Sequence, residues 1–287
     1  MTSVALVGLG AMGTPMVARL LQGGHEVVGF DVSAEARDRV AALGADTALT
    51  AADAIARADV VILMLPNSDV VESVVLDATV LESAEGRQFI DMSSSEPLRT
   101  RALAERLNAA GAALIDAPVS GGVKGAVNGT LTVMVGGDET VVERLRSLLE
   151  VFGRVVRVGD VGAGHAVKAL NNLMSATHLW ITGEAMAAGE RFGLQPEVML
   201  EVFNSSSGKS GSTENKWPNF ILTETYNTGF ALRLMLKDMR IATALAKAQG
   251  TPISLGEESV ALWARASDDL PATADHTEVA RWLEEQA

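Results

Sequence analysis

An ammonium group and a carboxamide stand one helical turn apart in this chain. They belong to Lys168 and Asn172, in the run Gly162-Ala163-Gly164-His165-Ala166-Val167-Lys168-Ala169-Leu170-Asn171-Asn172. Residues at i and i+4 share one face of a helix, so both side chains can converge on one small molecule. The pair means little by itself, because most helical lysines are solvated surface charges. Its interpretation depends on the elements that position it.

The start of the chain carries a glycine pattern that is typical of dinucleotide binding. A short apolar run, Val4 to Val7, leads directly into Gly-x-Gly-x-x-Gly and then into a helical pattern. The first glycine permits a tight turn, the second admits a pyrophosphate to the backbone, and the third lets helix and strand pack closely. The first N–H groups of the helix would face the anion. We therefore expect the loop to bind the cofactor through Gly8, Leu9, Gly10, Ala11, Met12 and Gly13.

A carboxylate follows the second predicted strand. Asp31 comes directly after His25–Phe30, near the position at which this fold needs an acceptor for the adenosine ribose hydroxyls. A 2′-phosphate would be repelled there and would require a basic neighbour, whereas Val32 and Ser33 follow and Arg37 lies a turn or more into the next helix. The sequence therefore favours NAD over NADP.

Composition excludes several classes of site. The chain of 287 residues has no cysteine, so it has neither a disulfide framework nor a thiolate metal site or nucleophile. His165 and His276 lie far apart without ligand spacing, so we expect no metal site. Apolar runs such as Val60–Leu65 are far shorter than the ~20 residues that cross a bilayer, and no secretory signal pattern opens the chain. We expect a cytoplasmic protein without membrane contact.

The charge balance also limits the partners. There are 36 acidic and 23 basic residues, and the net charge of -13 opposes binding to nucleic acid. An anionic substrate would need a local basic pocket. Its candidate cations are Lys124, Lys168, Lys209, Lys216 and Lys237, of which Lys209 and Lys216 are better explained as scattered surface lysines.

The order of predicted elements indicates two domains. Strands alternate with amphipathic segments up to about Asp160, and only helices follow from Gly164. This order predicts an N-terminal Rossmann doubly wound parallel sheet over 1–162 and an all-α C-terminal domain over 163–287. A long interdomain helix over 166–191 would join them.

Ligands of such sheets bind beyond the carboxyl ends of the strands. Leu65 and Pro66 end one predicted strand, and Ser93 to Ser95 follow the next, so Leu65, Pro66 and Ser94 are expected beside the nicotinamide. Capping of the following helix explains Ser93 to Ser95 equally well. In the helical region, the loop 204–213 is either a substrate-side loop or a simple connection.

In four blocks the chain resembles the β-hydroxyacid dehydrogenases, the family of 3-hydroxyisobutyrate dehydrogenase. The blocks are Gly8 to Met16, Asp116 to Ala126, Gly162 to Asn172, and Lys237-Asp238. The resemblance implies an oxidoreductase that interconverts a small 3-hydroxy acid and its semialdehyde, assembled as a homodimer or homotetramer. It implies the following roles: catalysis by Lys168, binding of the substrate carboxylate by Ser120, Gly121 and Gly122, substrate binding by Asn172, and cofactor contacts for Ser94 and Lys237.

The chain departs from familiar members of the family in one loop. Gly211 stands where an aromatic residue often follows Gly-Lys-Ser, which leaves open a more polar substrate such as tartronate semialdehyde or sulfolactaldehyde. Imine reductases share the N-terminal motif but usually replace the catalytic lysine. A 6-phosphogluconate dehydrogenase would need a longer C-terminal domain and phosphate-binding arginines. A non-catalytic NAD-binding sensor is the alternative of a different class, and the intact Lys168 and Asn172 oppose it.

Overall fold

The computed structural model describes residues 2–286. These residues form two compact units, and the division falls between Lys168 and Ala169. The first unit contains a sheet with helices, and the second is helical. The expected Rossmann sheet followed by an all-α region is confirmed.

The first unit alternates strands and helices along the chain. Its elements are β1 (Ser3–Val7), α1 (Gly13–Gln22), β2 (Glu26–Phe30), α2 (Ala34–Ala41), β3 (Asp46–Thr47), α3 (Ala51–Ala56), β4 (Val60–Leu63), α4 (Ser68–Val75), α5 (Ala78–Glu82), β5 (Gln88–Asp91), α6 (Pro97–Ala109), β6 (Ala113–Asp116), β7 (Val119–Ser120), α7 (Gly122–Asn128), β8 (Leu131–Gly136), α8 (Glu139–Leu149), β9 (Gly153–Gly159) and the start of α9 (Ala163–Phe192).

The strands form one sheet in the order β3-β2-β1-β4-β5-β6-β8-β7, with β9 paired to β8. The strand order reverses between β1 and β4, and in such sheets ligands bind at the carboxyl ends of the strands beside the reversal. The strands from β3 to β6 pair in parallel, whereas β8 runs antiparallel to β6 and β7. The sequence predicted a parallel sheet and did not indicate the antiparallel strand at this edge. The chain turns back there through β7 and α7 instead of a full crossover helix.

The central strands are apolar on both faces because helices cover both sides of the sheet. In β1, Val4 and Leu6 belong to one buried cluster with α1, and Ala5 and Val7 belong to another with α3. Such strands read as continuous apolar runs, which is why β1 and β4 are evident from the sequence. The apolar spacing continues through residues 68–82, but two helices form there, because the Asp77 carboxylate accepts from two backbone N–H groups and starts α5.

The second unit contains the remainder of α9, then α10 (Pro196–Asn204), a π-helix (Ser212–Ile221), α11 (Leu232–Ala248), α12 (Ser254–Asp269) and α13 (Glu278–Glu285). Helix α9 is 30 residues long and continuous across the division. Trp180 packs against Trp263 and Trp282 in the core of this unit. Within residues 2–286, no helix has the length and apolarity that a membrane crossing requires.

Candidate active site

The glycine loop after β1 has the shape that a pyrophosphate needs. Gly8 has φ +99°, and a Cβ there would lie 2.2 Å from the Met64 carbonyl oxygen. A Cβ on Gly13 would lie 1.9 Å from the Gly8 carbonyl oxygen, so this position is restricted to glycine by the packing of α1 on β1. Gly10 instead faces open space, with no neighbouring heavy atom within 4 Å of its Cβ position. The loop therefore fits a dinucleotide, with room at the middle glycine.

Asp31 connects this loop to the end of β2. Its Oδ2 accepts a hydrogen bond from Leu9 N at 2.7 Å, and its Oδ1 accepts from Ser33 N at 2.8 Å. A carboxylate offers about four lone-pair positions, so capacity for ribose hydroxyls remains. Arg37, which the sequence placed at a distance, donates from Nη1 to the Asp31 carbonyl oxygen at 2.6 Å.

Buried hydrogen bonds hold two of the serines that follow β5. Ser93 Oγ accepts from Leu65 N at 2.9 Å, and Ser95 Oγ donates to the Asp91 carboxylate at 2.7 Å. Helix α6 receives no side-chain cap from Glu96, its N-cap residue. Ser93 thus links the ends of β4 and β5, Ser95 is held at the end of β5, and the capping explanation is wrong for both. Ser94 lies between these two anchored neighbours and is partly exposed.

The segment after β6 depends on glycine. Ser120 ends β7, and Gly121 and Gly122 have φ values of +132° and +62°. Side-chain-bearing residues rarely adopt either conformation, so the turn from β7 into α7 requires both glycines. Ser120 and Gly122 are partly exposed and Gly121 is exposed, as an anion-binding segment must be.

A buried polar network holds the first turn of α9. The Asp116 carboxylate accepts from Gly162 N at 2.6 Å and from His165 N at 2.8 Å. The His165 ring lies between two buried carboxylates, with Nε2 3.7 Å from Asp91 and Nδ1 3.8 Å from Asp116. Burial raises the pKa of Asp116, while the nearby imidazole and the two N–H donors oppose this rise. These side chains tie α9 to the carboxyl ends of β5 and β6.

The His165 ring is held by a hydrogen bond at each of its two nitrogens. Nε2 lies 3.1 Å from the Ser93 carbonyl oxygen, which can only accept, so Nε2 carries a proton. Nδ1 lies 2.9 Å from Thr100 Oγ1, whose own proton goes to the Glu96 carbonyl oxygen. The sequence offered His165 only as a metal-ligand candidate, and the signal that could have found this network is an aspartate at the end of two successive strands.

Lys168 follows His165 by one helical turn and is 9% exposed. Asn172 follows after one more turn, and its Nδ2 donates to Asp238 Oδ2 at 2.7 Å. Asp238 is almost completely buried, and its other oxygen lies 3.4 Å from Lys237 Nζ. The buried carboxylate therefore orients the Asn172 amide, a role that the sequence did not assign to Asp238.

The two lysines expected on the surface differ from each other. Lys209 is exposed and pairs with Glu214 at 2.8 Å, as expected. Lys216 is only partly exposed, and its Nζ lies 2.7 Å from Ser175 Oγ on α9. Burial lowers the pKa of Lys216 to about 8. The expectation of a scattered surface lysine is therefore wrong for Lys216. Over residues 2–286, no group of three or more His, Cys, Asp or Glu side chains could hold a metal ion.

Two family models cover nearly the whole chain. Residues 3–162 match the NAD-binding domain of 6-phosphogluconate dehydrogenase, and residues 162–283 match the NAD-binding region of NADP-dependent 3-hydroxyisobutyrate dehydrogenase. The chain belongs to the 3-hydroxyisobutyrate dehydrogenase-like family. The four-block resemblance is thereby confirmed.

Relatives in this family carry several substrate names. The chain is 39% identical to the NAD-dependent L-serine dehydrogenase of Pseudomonas aeruginosa, covering 92% of this chain and 91% of the relative. It is 41% identical to the 3-hydroxyisobutyrate dehydrogenase of the same organism, covering 89% of both. It is 38% identical to the 2-(hydroxymethyl)glutarate dehydrogenase of Eubacterium barkeri, covering 88% of this chain and 85% of the relative.

Solved structures agree with the fold. The Mycobacterium tuberculosis 3-hydroxyisobutyrate dehydrogenase, solved with L-serine, has a TM-score of 0.93 at 35% identity and covers 99% of both chains. An imine reductase variant from Myxococcus stipitatus, solved with NAD+, has a TM-score of 0.69 at 18% identity and covers 99% of both chains. That second similarity is one of fold alone.

Proposed function

We propose that this protein oxidises a small 3-hydroxy acid to its semialdehyde, and catalyses the reverse reduction, with Lys168 as acid and base. The observation that carries the proposal is the anchoring of α9. Buried bonds from Asp116 fix the turn that precedes Lys168, and Asp238 orients the amide of Asn172 one turn later. Such anchoring is what a proton-transfer group needs, because catalysis depends on a fixed geometry.

The nicotinamide, when bound, accepts or supplies the hydride. The residues of the chain would transfer the proton and stabilise the charge on the substrate oxygen. In reduction, the Lys168 ammonium would stabilise the negative charge that develops on the carbonyl oxygen and donate a proton to it. In oxidation, the neutral amine would take the proton from the substrate hydroxyl. Ser120 with the N–H groups of Gly121 and Gly122 would bind the substrate carboxylate, and Asn172 would hold the reacting end.

We further propose NAD as the preferred cofactor. Asp31 stands at the end of β2, where a carboxylate accepts from the ribose hydroxyls and repels a 2′-phosphate. Arg37 is the nearby basic residue, and its guanidinium is hydrogen-bonded to the carbonyl oxygens of Asp31 and Val32. Leu65, Pro66, Ser94 and Lys237 complete the proposed cofactor contacts.

The substrate class follows from what the relatives' substrates share. L-serine, 3-hydroxyisobutyrate and 2-(hydroxymethyl)glutarate all contain a hydroxymethyl group and a carboxylate on the same carbon, C2. They differ only in the third substituent of C2, which is an ammonium, a methyl or a carboxyethyl group. We propose that this chain acts on the same unit, and that residues near the third substituent decide its identity.

The test is turnover of NAD by the wild type and by Lys168→Ala. We expect NADH formation with at least one of the three acids, and a fall of about 10²- to 10⁴-fold in kcat for the variant, the usual contribution of a general acid or base. The affinity for NADH, measured by fluorescence, should not change. Lys247→Ala, which removes an exposed lysine paired with Glu257, is the control and should keep full turnover. An active Lys168→Ala enzyme would contradict the proposed role.

A further inference from the structure

Lys216 is a lysine that lacks a countercharge at contact distance. Its Nζ lies 2.7 Å from the neutral Ser175 hydroxyl. Lys209, Lys237 and Lys247 each pair with a carboxylate, whereas Lys216 forms no ion pair within residues 2–286. Burying an ammonium without a paired anion costs free energy. Buried lysines of this kind are therefore often found at functional sites.

The charged groups that surround Lys216 do not neutralise it. Asp275 is the nearby carboxylate, but its oxygens already accept from Thr228 Oγ1 at 2.7 Å and from Thr277 Oγ1 at 2.6 Å. The adjacent His276 is kept uncharged at neutral pH because burial lowers its pKa. The Lys216 ammonium therefore keeps donor capacity for an anion from outside the chain, since an ammonium has three donors.

Lys216 also lies beside the helix face that the proposed mechanism uses. Ser175 follows Asn172 by three residues and Lys168 by seven, and residues at i, i+4 and i+7 share one face of a helix. Lys216 itself lies in the π-helix 212–221, which also contains Pro218. π-Helical segments are rare and are frequently found at functional sites.

We propose that Lys216 binds a second carboxylate on the substrate, carried by the third substituent of C2, so that the preferred substrate is a dianionic 3-hydroxy acid. This inference rests on the proposed function. A methyl group at that position would gain nothing from an ammonium, and the ammonium of L-serine would be repelled by it. In a chain of net charge -13, a dianion requires a local cation of this kind.

The test compares two substrates in three variants. The probes are 2-(hydroxymethyl)glutarate, which has a second carboxylate, and 3-hydroxyisobutyrate, which does not. Lys216→Met keeps most of the apolar stem and removes the charge, and Lys216→Arg restores a charge. The matched control is Lys209→Met, which removes an exposed lysine seven residues earlier.

We expect Lys216→Met to lower kcat/KM for the dianion by about 10- to 100-fold, mainly through KM, as expected for the loss of one charge-assisted hydrogen bond. For the monoanion the change should stay below about threefold. Lys216→Arg should recover part of the preference for the dianion, and Lys209→Met should change neither substrate.

The pH dependence provides a second readout. With a pKa of about 8, Lys216 is charged below that pH and neutral above it. The wild-type ratio of kcat/KM, dianion over monoanion, should therefore fall as the pH rises through about 8. The ratio in Lys216→Met should not change, because contributions from Lys168 are common to both substrates and cancel.

Equal losses for the two substrates, or no loss for the dianion, would overturn the inference and leave the proposed function intact. A wild type that turns over none of the three acids, L-serine included, would instead contradict the proposed function. If neither of the two probes is turned over, calorimetry with unreactive glutarate and butyrate on the NAD complex decides the inference. Tighter glutarate binding that Lys216→Met abolishes supports it, and equal binding of the two acids overturns it.

Discussion

Asp116→Asn tests whether one buried carboxylate anchors the helix that carries Lys168. The two Asp116 oxygens accept from Gly162 N at 2.6 Å and from His165 N at 2.8 Å, and the side chain is completely buried. Asparagine has one acceptor oxygen, so its amide group would face one of these N–H donors. Space for rearrangement is small, because a Cβ on Gly164 would lie 2.8 Å from Asp116 Oδ2.

The magnitude follows from three contributions. An unsatisfied buried donor costs about 1–3 kcal/mol, and loss of a negative charge at the start of a helix costs up to about 2 kcal/mol. Burial raises the pKa of Asp116, so a neutral side chain recovers part of the cost of burying the charge. We expect a net loss of about 2–4 kcal/mol in the free energy of unfolding, because the two costs together exceed this recovery.

Urea unfolding followed by far-UV circular dichroism measures this loss. Fluorescence is less suitable because all four tryptophans lie after residue 168. Hydrogen exchange of the peptide covering residues 162–168 should also become faster in Asp116→Asn. The control is Asp138→Asn, since Asp138 caps the exposed start of α8 and asparagine is an equivalent N-cap, with an expected change below about 0.5 kcal/mol. Equal stability of the two variants, with unchanged exchange, would refute the anchoring role.

Two further predictions concern the cofactor and the response to acid. Asp31→Ala should raise KM for NAD and lower the ratio of kcat/KM for NAD over NADP by about tenfold, since the carboxylate that repels a 2′-phosphate is gone; an unchanged ratio would contradict the assignment. Burial opposes ionisation of Asp275, but hydrogen bonds from His276, Thr277 and Thr228 outweigh it and hold the pKa of Asp275 well below its ordinary value. The stabilisation is then present above pH about 4 and is lost in stronger acid. The stability difference between wild type and Asp275→Asn, measured by urea unfolding, should narrow below that pH, and a constant difference would contradict this account.

Much of the fold is local in origin and was therefore predictable. The apolar runs of β1 and β4 and the required glycines at positions 8 and 13 are visible in short stretches of sequence. The antiparallel β8 was missed, because strand direction depends on how the chain between β6 and β8 folds back. The break between α4 and α5 is not visible in the sequence pattern, because Asp77 acts as a cap in a segment whose apolar spacing continues.

The sequence by itself determined the dinucleotide loop, the position of Asp31 and the spacing of Lys168 and Asn172. Each is a property of residues near one another in the chain, where backbone geometry alone fixes the relation. The tertiary structure decided which side chains surround His165 and Lys216. Asp116 is 49 residues from His165, and Ser175 is 41 residues from Lys216. The burial and the partners of such a side chain depend on which distant elements pack around it. The spacing of residues along the chain does not show this.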